Sequence, residues 1–184
     1  MKLILILFLF VATIGLTLLL KYRVSPQYGL DVVTRFVERL NYIPSQKPAL
    51  LSRDSFARWL ADPALASAKD GYAVPVLFPF DLLFMICLAA LLGMASAFVA
   101  GHLSFLSGVP AWIWWLLPLA YLAADLAEDG LLFLILRDSA PLTEPTFSLL
   151  RKLTAAKLAT VSLAMGEIAF LLALKILVHF YPAE

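Results

Sequence analysis

Hydrophobic residues gather into four long runs along this chain, over residues 3–20, 81–101, 112–136 and 153–180. Each run is close to the roughly 20 apolar residues that an α-helix needs to cross a bilayer. A polar segment over residues 21–79 and shorter connections separate the runs. The pattern predicts an all-α fold: a polytopic membrane protein in which a four-transmembrane-helix bundle forms a single membrane domain over residues 1–184.

Composition narrows the class of protein further. Hydrophobic residues make up 62% of the chain, against roughly 45–50% in soluble domains. The net charge is +1 and no basic block stands out, so we expect no nucleic-acid partner. Cys87 is the only cysteine, which excludes an internal disulfide and a thiolate cluster within one chain. We expect no cofactor.

The first run resembles a signal peptide, but no small-residue cleavage motif precedes Lys21, so we expect Leu3–Leu20 to remain as the first span. The polar segment that follows is broken by prolines and contains two amphipathic patterns. One places Leu30, Phe36 and Leu40 on a single helical face, and the other begins at Ser52. We predict two short amphipathic helices that cap the bundle or lie on the membrane surface.

Small residues form a stripe on the second run and another on the fourth. Small side chains at spacings of three and four residues let helices approach closely in lipid. We therefore predict two packing seams. The stripes are Ala89, Gly93, Ser96 and Ala100, and Ala155, Ala159, Ser162, Gly166, Ala169 and Ala173.

Basic residues predict the orientation in the membrane. Residues 21–79 and 137–157 hold nearly all the lysines and arginines, whereas residues 101–111 hold none. Because cytoplasmic connections are enriched in basic residues, we expect the first two segments to be cytoplasmic. Both termini would then face outwards, in a bacterial inner (plasma) membrane.

The third run carries three acids, Asp125, Glu128 and Asp129, at a spacing that places them on one helical face with Tyr121. Asp125 lies about 20 Å along the helix from Trp112, at about 1.5 Å per residue. A charge near the bilayer centre costs roughly 3 kcal/mol, so such residues usually face the interior of a bundle. The sequence therefore predicts a buried acidic pocket.

The fourth run supplies the remaining members of the predicted pocket. If it packs antiparallel to the third run, Lys157 comes level with Asp129 and Glu128, and Glu167 approaches Tyr121 and Asp125. The predicted ligand or proton site comprises Tyr121, Asp125, Glu128, Asp129, Lys157 and Glu167, with Arg137 as a further candidate.

Two interpretations of this pocket compete. The acids can simply hydrogen-bond across helices and fix one packing arrangement. Against this, four carboxyl groups face at most two or three cations, and clustered buried acids cannot all ionise without repelling one another. The surplus favours a functional site.

The stretch Asp125-Leu126-Ala127-Glu128-Asp129, followed in the next run by Lys157, resembles the D-x-x-E-[N/D] pattern of small uncharacterised bacterial four-helix membrane proteins. The resemblance implies a small polytopic bundle and no particular activity. The four spans, large first loop and buried acids are also similar in architecture to the EXPERA group, without a residue-by-residue match.

Three functions fit these features. The first is binding of a cationic or amphiphilic, lipid-like ligand, or coupling of proton movement to a solute. The second is a lipid-modifying enzyme with Asp125 or Glu128 as general acid/base. The third is an accessory subunit of a larger membrane complex, or a homo-oligomer, in contact with membrane lipid. We expect no metal site, because an aspartate-rich motif that holds Mg²⁺ against a diphosphate needs a second partner motif.

Overall fold

The computed structural model describes residues 1–24 and 52–180, which are predominantly helical and contain no β-strand. The all-α prediction is confirmed for this part of the chain. The helices are α1 (Lys2–Leu19), α2 (Arg53–Ala61), α3 (Ala66–Gly71), α4 (Leu82–Ala100), α5 (Leu116–Leu136) and α6 (Glu144–Phe180).

Three helical segments are long and apolar enough to cross a membrane: Lys2–Val24, Pro63–Ala100 and Glu144–Phe180. Helix α5 is also 21 residues long, but it contains the three acids. Helix α6 begins at Glu144 rather than at the predicted residue 153. Its first turn accommodates Pro145, since the first N–H groups of a helix have no intrahelical acceptor to lose.

Helix α2 caps one end of the bundle. The second predicted amphipathic helix is confirmed at Arg53–Ala61. Trp59 is only 5% exposed and belongs to the same apolar cluster as Leu136 and Leu150. The Phe56 ring stacks on Trp59 with centroids 5.9 Å apart. The first predicted amphipathic helix, around residues 30–40, lies outside the described residues.

The segment before α4 differs from the predicted polar loop. Most of residues 63–81 is helical, with extended backbone only at Val74 and Phe78. Each of these residues precedes a proline, which disfavours the helical conformation at the residue before it. Leu77 is buried and Phe78 packs edge-on against Phe133 of α5 at 5.4 Å. Apolar packing therefore continues on the N-terminal side of Asp81, and Asp81 lies within the bundle.

Helices α4, α5 and α6 pack in apolar layers, and α1 packs mainly against α4. The layer nearest α2 contains Trp59, Ala73, Leu77, Leu132, Ile135, Leu136 and Leu150. The next contains Met85, Ala89 and Tyr121, and the farthest contains Val99, Ala100, Leu103 and Leu171. Lys157 of α6, the three acids of α5 and Asp81 directly before α4 fall between the first two layers.

The small-residue stripe of α4 is buried as predicted. A Cβ atom at Gly93 would lie 2.5 Å from Trp115 Cε3, so glycine allows the indole ring to rest on the helix. The predicted stripe on α6 is wrong as a seam within this bundle, because all of its residues are exposed. A neighbouring face is buried instead, at Phe147, Leu150, Thr154, Ala164 and Leu171.

Candidate functional site

Three helices place polar side chains in one layer of the bundle. Asp81 stands directly before α4, the three predicted acids lie on α5, and Thr154 and Lys157 lie on α6. Asp125, Glu128 and Asp129 are each at most 3% exposed. The prediction that these three acids face the interior is therefore confirmed. We call this layer the acidic cluster: Asp81, Asp125, Glu128, Asp129, Thr154 and Lys157.

Lys157 joins α6 to α5 through two ion pairs. Its Nζ atom contacts Asp125 Oδ1 and lies 3.0 Å from Glu128 Oε2. The predicted pairing with Glu128 is confirmed. The alternative partner, Asp129, is wrong: Asp125 takes its place, and the Asp129 carboxyl lies with that of Asp81.

Thr154 completes the surroundings of Glu128. Its hydroxyl donates to Glu128 Oε1 and lies 2.9 Å from the carbonyl oxygen of Leu150. Each Glu128 oxygen therefore has a partner on α6, Lys157 for one and Thr154 for the other. Glu128 is a satisfied member of the acidic cluster.

The three aspartates form the other half of the acidic cluster. One carboxylate oxygen from each of Asp81, Asp125 and Asp129 lies within 4.8 Å of the other two. Asp81 is half-buried, whereas Asp125 and Asp129 are buried. Asp129 Oδ2 is fully enclosed and makes no hydrogen bond to the described residues, although the carboxyl groups of Asp129 and Asp81 are hydrogen-bonded to each other. Burial of a polar atom without a hydrogen bond is unfavourable, so a partner for this oxygen would stabilise the folded state.

Tyr121 closes the acidic cluster on the side away from α2. It is 2% exposed, packs with Met85 and Ala89, and lies next to the Asp125 carboxylate one turn further along α5. The predicted place of Tyr121 beside the acids is confirmed.

Charge is unbalanced within the acidic cluster. It contains four carboxyl groups, and Lys157 is the one cation that pairs with them among the described residues. Glu128 and Asp125 share the Lys157 ammonium group, so the carboxyl groups of the acidic cluster outnumber its one cation. Buried carboxyl groups this close repel one another when ionised, so the surplus requires protons or a further cation.

Two predicted members lie elsewhere. Glu167 is ten residues beyond Lys157 on α6, about 15 Å along the helix axis at about 1.5 Å per residue, too far to join the acidic cluster. Its Oε1 atom is buried and has no hydrogen-bond partner among the described residues. Arg137 is exposed, and its Nη1 atom lies 3.2 Å from Asp70 Oδ1.

Asp81 and Thr154 were not predicted as site residues. The sequence pattern places Asp81 at the start of the second span. The apolar stretch Tyr72–Phe80 directly before it would have indicated a more buried position. Thr154 lies three residues before Lys157, a spacing that places both side chains on the same helical face.

Comparison of the chain with protein-family models, curated proteins and solved structures finds no match. The resemblance to small bacterial four-helix proteins therefore stays a prediction, and functional arguments rest on the geometry of the acidic cluster.

Proposed function

We propose that the chain is an integral membrane protein of four spans, in which α5 joins the three apolar segments as the fourth. The exposed apolar faces of α1 and α6 support this proposal. Leu7, Phe8 and Val11 on α1, and Phe170 and Ile176 on α6, are each more than half exposed. Exposed apolar side chains at this density are unfavourable in water, whereas lipid chains solvate them.

The function that the acidic cluster supports best is binding of a positively charged ligand inside this bundle. The observation that carries this function is the enclosed Asp129 Oδ2, which has no donor and lies beside two further aspartates. A purely structural polar network would be expected to satisfy each of its members, as the contacts of Glu128 do. A bound cation would supply the partner that Asp129 Oδ2 lacks.

Thermal unfolding in a neutral detergent tests this function. The chlorides of sodium, magnesium, calcium and decyltrimethylammonium are compared at constant ionic strength. Screening of charges by salt is then the same in every sample. A zwitterionic detergent of the same chain length is the control for the alkyl group. The proteins are the parent, Asp129→Asn, and Glu167→Gln as a control acid outside the acidic cluster.

A ligand at 100 times its Kd stabilises the folded state by about 2.7 kcal/mol. For chains of this size each kcal/mol raises Tm by about 2–4 °C, so we expect a rise of roughly 5–10 °C with at least one of the cations. Asp129→Asn should lose the rise and Glu167→Gln should keep it. If none of these cations raises the Tm of the parent, the proposed function is wrong.

A further inference from the structure

We propose that Asp81, Asp125 and Asp129 form a binding site for one hard divalent metal ion of the Mg²⁺, Mn²⁺ or Ca²⁺ class. The inference rests on the proposed function, which requires a positively charged ligand. It adds that this ligand is a divalent metal ion. Asp81 contributes from the start of α4, and Asp125 and Asp129 contribute from successive turns of α5.

Distances within the aspartate triad suit one shared ion. Hard divalent cations bind oxygen at about 2.0–2.6 Å, so two ligands on opposite sides of an ion are about 4–5 Å apart. One oxygen from each aspartate lies within 4.8 Å of the others. All three can therefore reach a common centre through small side-chain rotations.

The donor atoms select the class of metal. All three are carboxylate oxygens, and the group contains no histidine nitrogen or cysteine sulfur. Oxygen-only sites favour Mg²⁺, Ca²⁺ and Mn²⁺, whereas Zn²⁺ and Cu²⁺ sites in proteins usually include nitrogen or sulfur ligands. Three protein ligands also leave positions for water, which Mg²⁺ in particular retains.

The enclosed Asp129 Oδ2 is an independent sign of a missing ligand. Its residue is 3% exposed, and no donor of the described residues satisfies this oxygen. Lys157 contacts Asp125 at Oδ1 and is also occupied by Glu128. A divalent ion would offset negative charge on the triad and give Asp129 Oδ2 a partner.

Asp81 is the least buried member of the triad. Asp81 is half-buried and ends the broken helical segment Tyr72–Asp81, whereas the other two aspartates are buried. An ion would meet Asp81 first. Asp81 also supplies what the sequence lacked for a metal site, namely a second acidic element to complement the acids of α5.

Mn²⁺ is the probe for this site, because its electron paramagnetic resonance signal falls when the free aquo ion is bound. The full chain is purified in a neutral detergent, treated with a chelator, and titrated with MnCl₂ at constant ionic strength. We expect one Mn²⁺ per chain, displaced by excess Mg²⁺ or Ca²⁺. Asp81→Asn and Asp129→Asn should each weaken binding at least tenfold, and Glu167→Gln should bind as the parent does.

The metal-free Tm of each variant shows whether it is folded. If Asp129→Asn does not fold, the half-buried Asp81→Asn variant decides the result. Absence of Mn²⁺ binding by the parent, or unchanged binding by a folded Asp81→Asn variant, would overturn the metal site. Should an organic cation stabilise the parent while Mn²⁺ does not bind, only the metal class is wrong. If neither has an effect, the proposed function is wrong as well.

Discussion

Lys157 Nζ lies 3.0 Å from Glu128 Oε2, so an ion pair between α6 and α5 stands inside the bundle. The same ammonium group contacts Asp125, and Thr154 holds the other Glu128 oxygen. These contacts divide the acidic cluster into a satisfied half around Glu128 and an unsatisfied half around Asp129. Structural and ligand-binding roles are therefore separable by mutation.

Replacing Lys157 with methionine should destabilise the bundle. The change keeps most of the aliphatic side chain but leaves two buried carboxylates without their cation, and breaking one side of a buried pair typically costs about 3–5 kcal/mol. Unfolding in mixed detergent measures the loss. Lys175→Met, an exposed position on the same helix, is the control. Equal stability of Lys157→Met and the parent would show that the pair does not form.

Thr154→Val removes the hydroxyl that donates to Glu128 while it keeps the shape of the side chain. Hydrogen bonds to charged groups contribute about 1.5–3 kcal/mol, and we expect a loss of stability in that range. Thr160→Val is a matched control, because the Thr160 hydroxyl hydrogen-bonds within its own helix, to the carbonyl oxygens of Ala156 at 2.7 Å and Lys157 at 3.0 Å. A loss no greater than that of Thr160→Val would contradict the assigned hydrogen bond.

A pair of glycine variants tests the packing of α4. Gly93→Ala places a Cβ atom 2.5 Å from Trp115 Cε3, and overpacking of this kind costs about 1–3 kcal/mol. Gly166→Ala meets no atom within 4 Å and should be neutral or stabilising by up to about 1 kcal/mol. We expect Gly93→Ala to lower Tm and Gly166→Ala to leave it unchanged or raise it. Similar shifts in the two variants would show that Trp115 does not pack against Gly93.

The sequence predicted the acidic face of α5 because charged side chains on an apolar helix usually face the interior of a bundle. Asp125, Glu128 and Asp129 share a face at a spacing that any helix imposes. Lys157 and Glu128 lie at a similar level on antiparallel helices, and this was enough to predict their ion pair. The choice between Asp125 and Asp129 as the second partner depended on a rotation of less than one turn, which spacing alone does not determine.

The rotation of α6 was harder to predict for a physical reason. Lipid chains are as apolar as leucine, so hydrophobic periodicity does not separate the buried face of such a helix from the outer face. Small residues at Ala159 and Gly166 indicated one face, but the structure buries Thr154 and Ala164 on another. Asp81 was missed for a different reason, because the prolines before it had marked the segment as a loop.

Cysteine labelling in intact cells tests the predicted orientation. Ser107 and Ser139 are exposed and lie in different connections. In a Cys87→Ala background, a membrane-impermeant maleimide should label Ser107→Cys but not Ser139→Cys, because the basic connections are expected to be cytoplasmic. Labelling of Ser139→Cys alone would reverse the orientation.

The most direct test of a cation-binding acidic cluster compares the unfolding free energies of the parent and Asp129→Asn with and without a saturating cation from the Tm series. Without the cation, we expect Asp129→Asn to be as stable as the parent or more stable, because a neutral amide replaces a surplus buried acid. With the cation, the parent should become the more stable protein, so that the order of stability reverses. If Asp129→Asn is less stable than the parent under both conditions and by the same amount, Asp129 only holds the helices together, and the cation-binding function is contradicted.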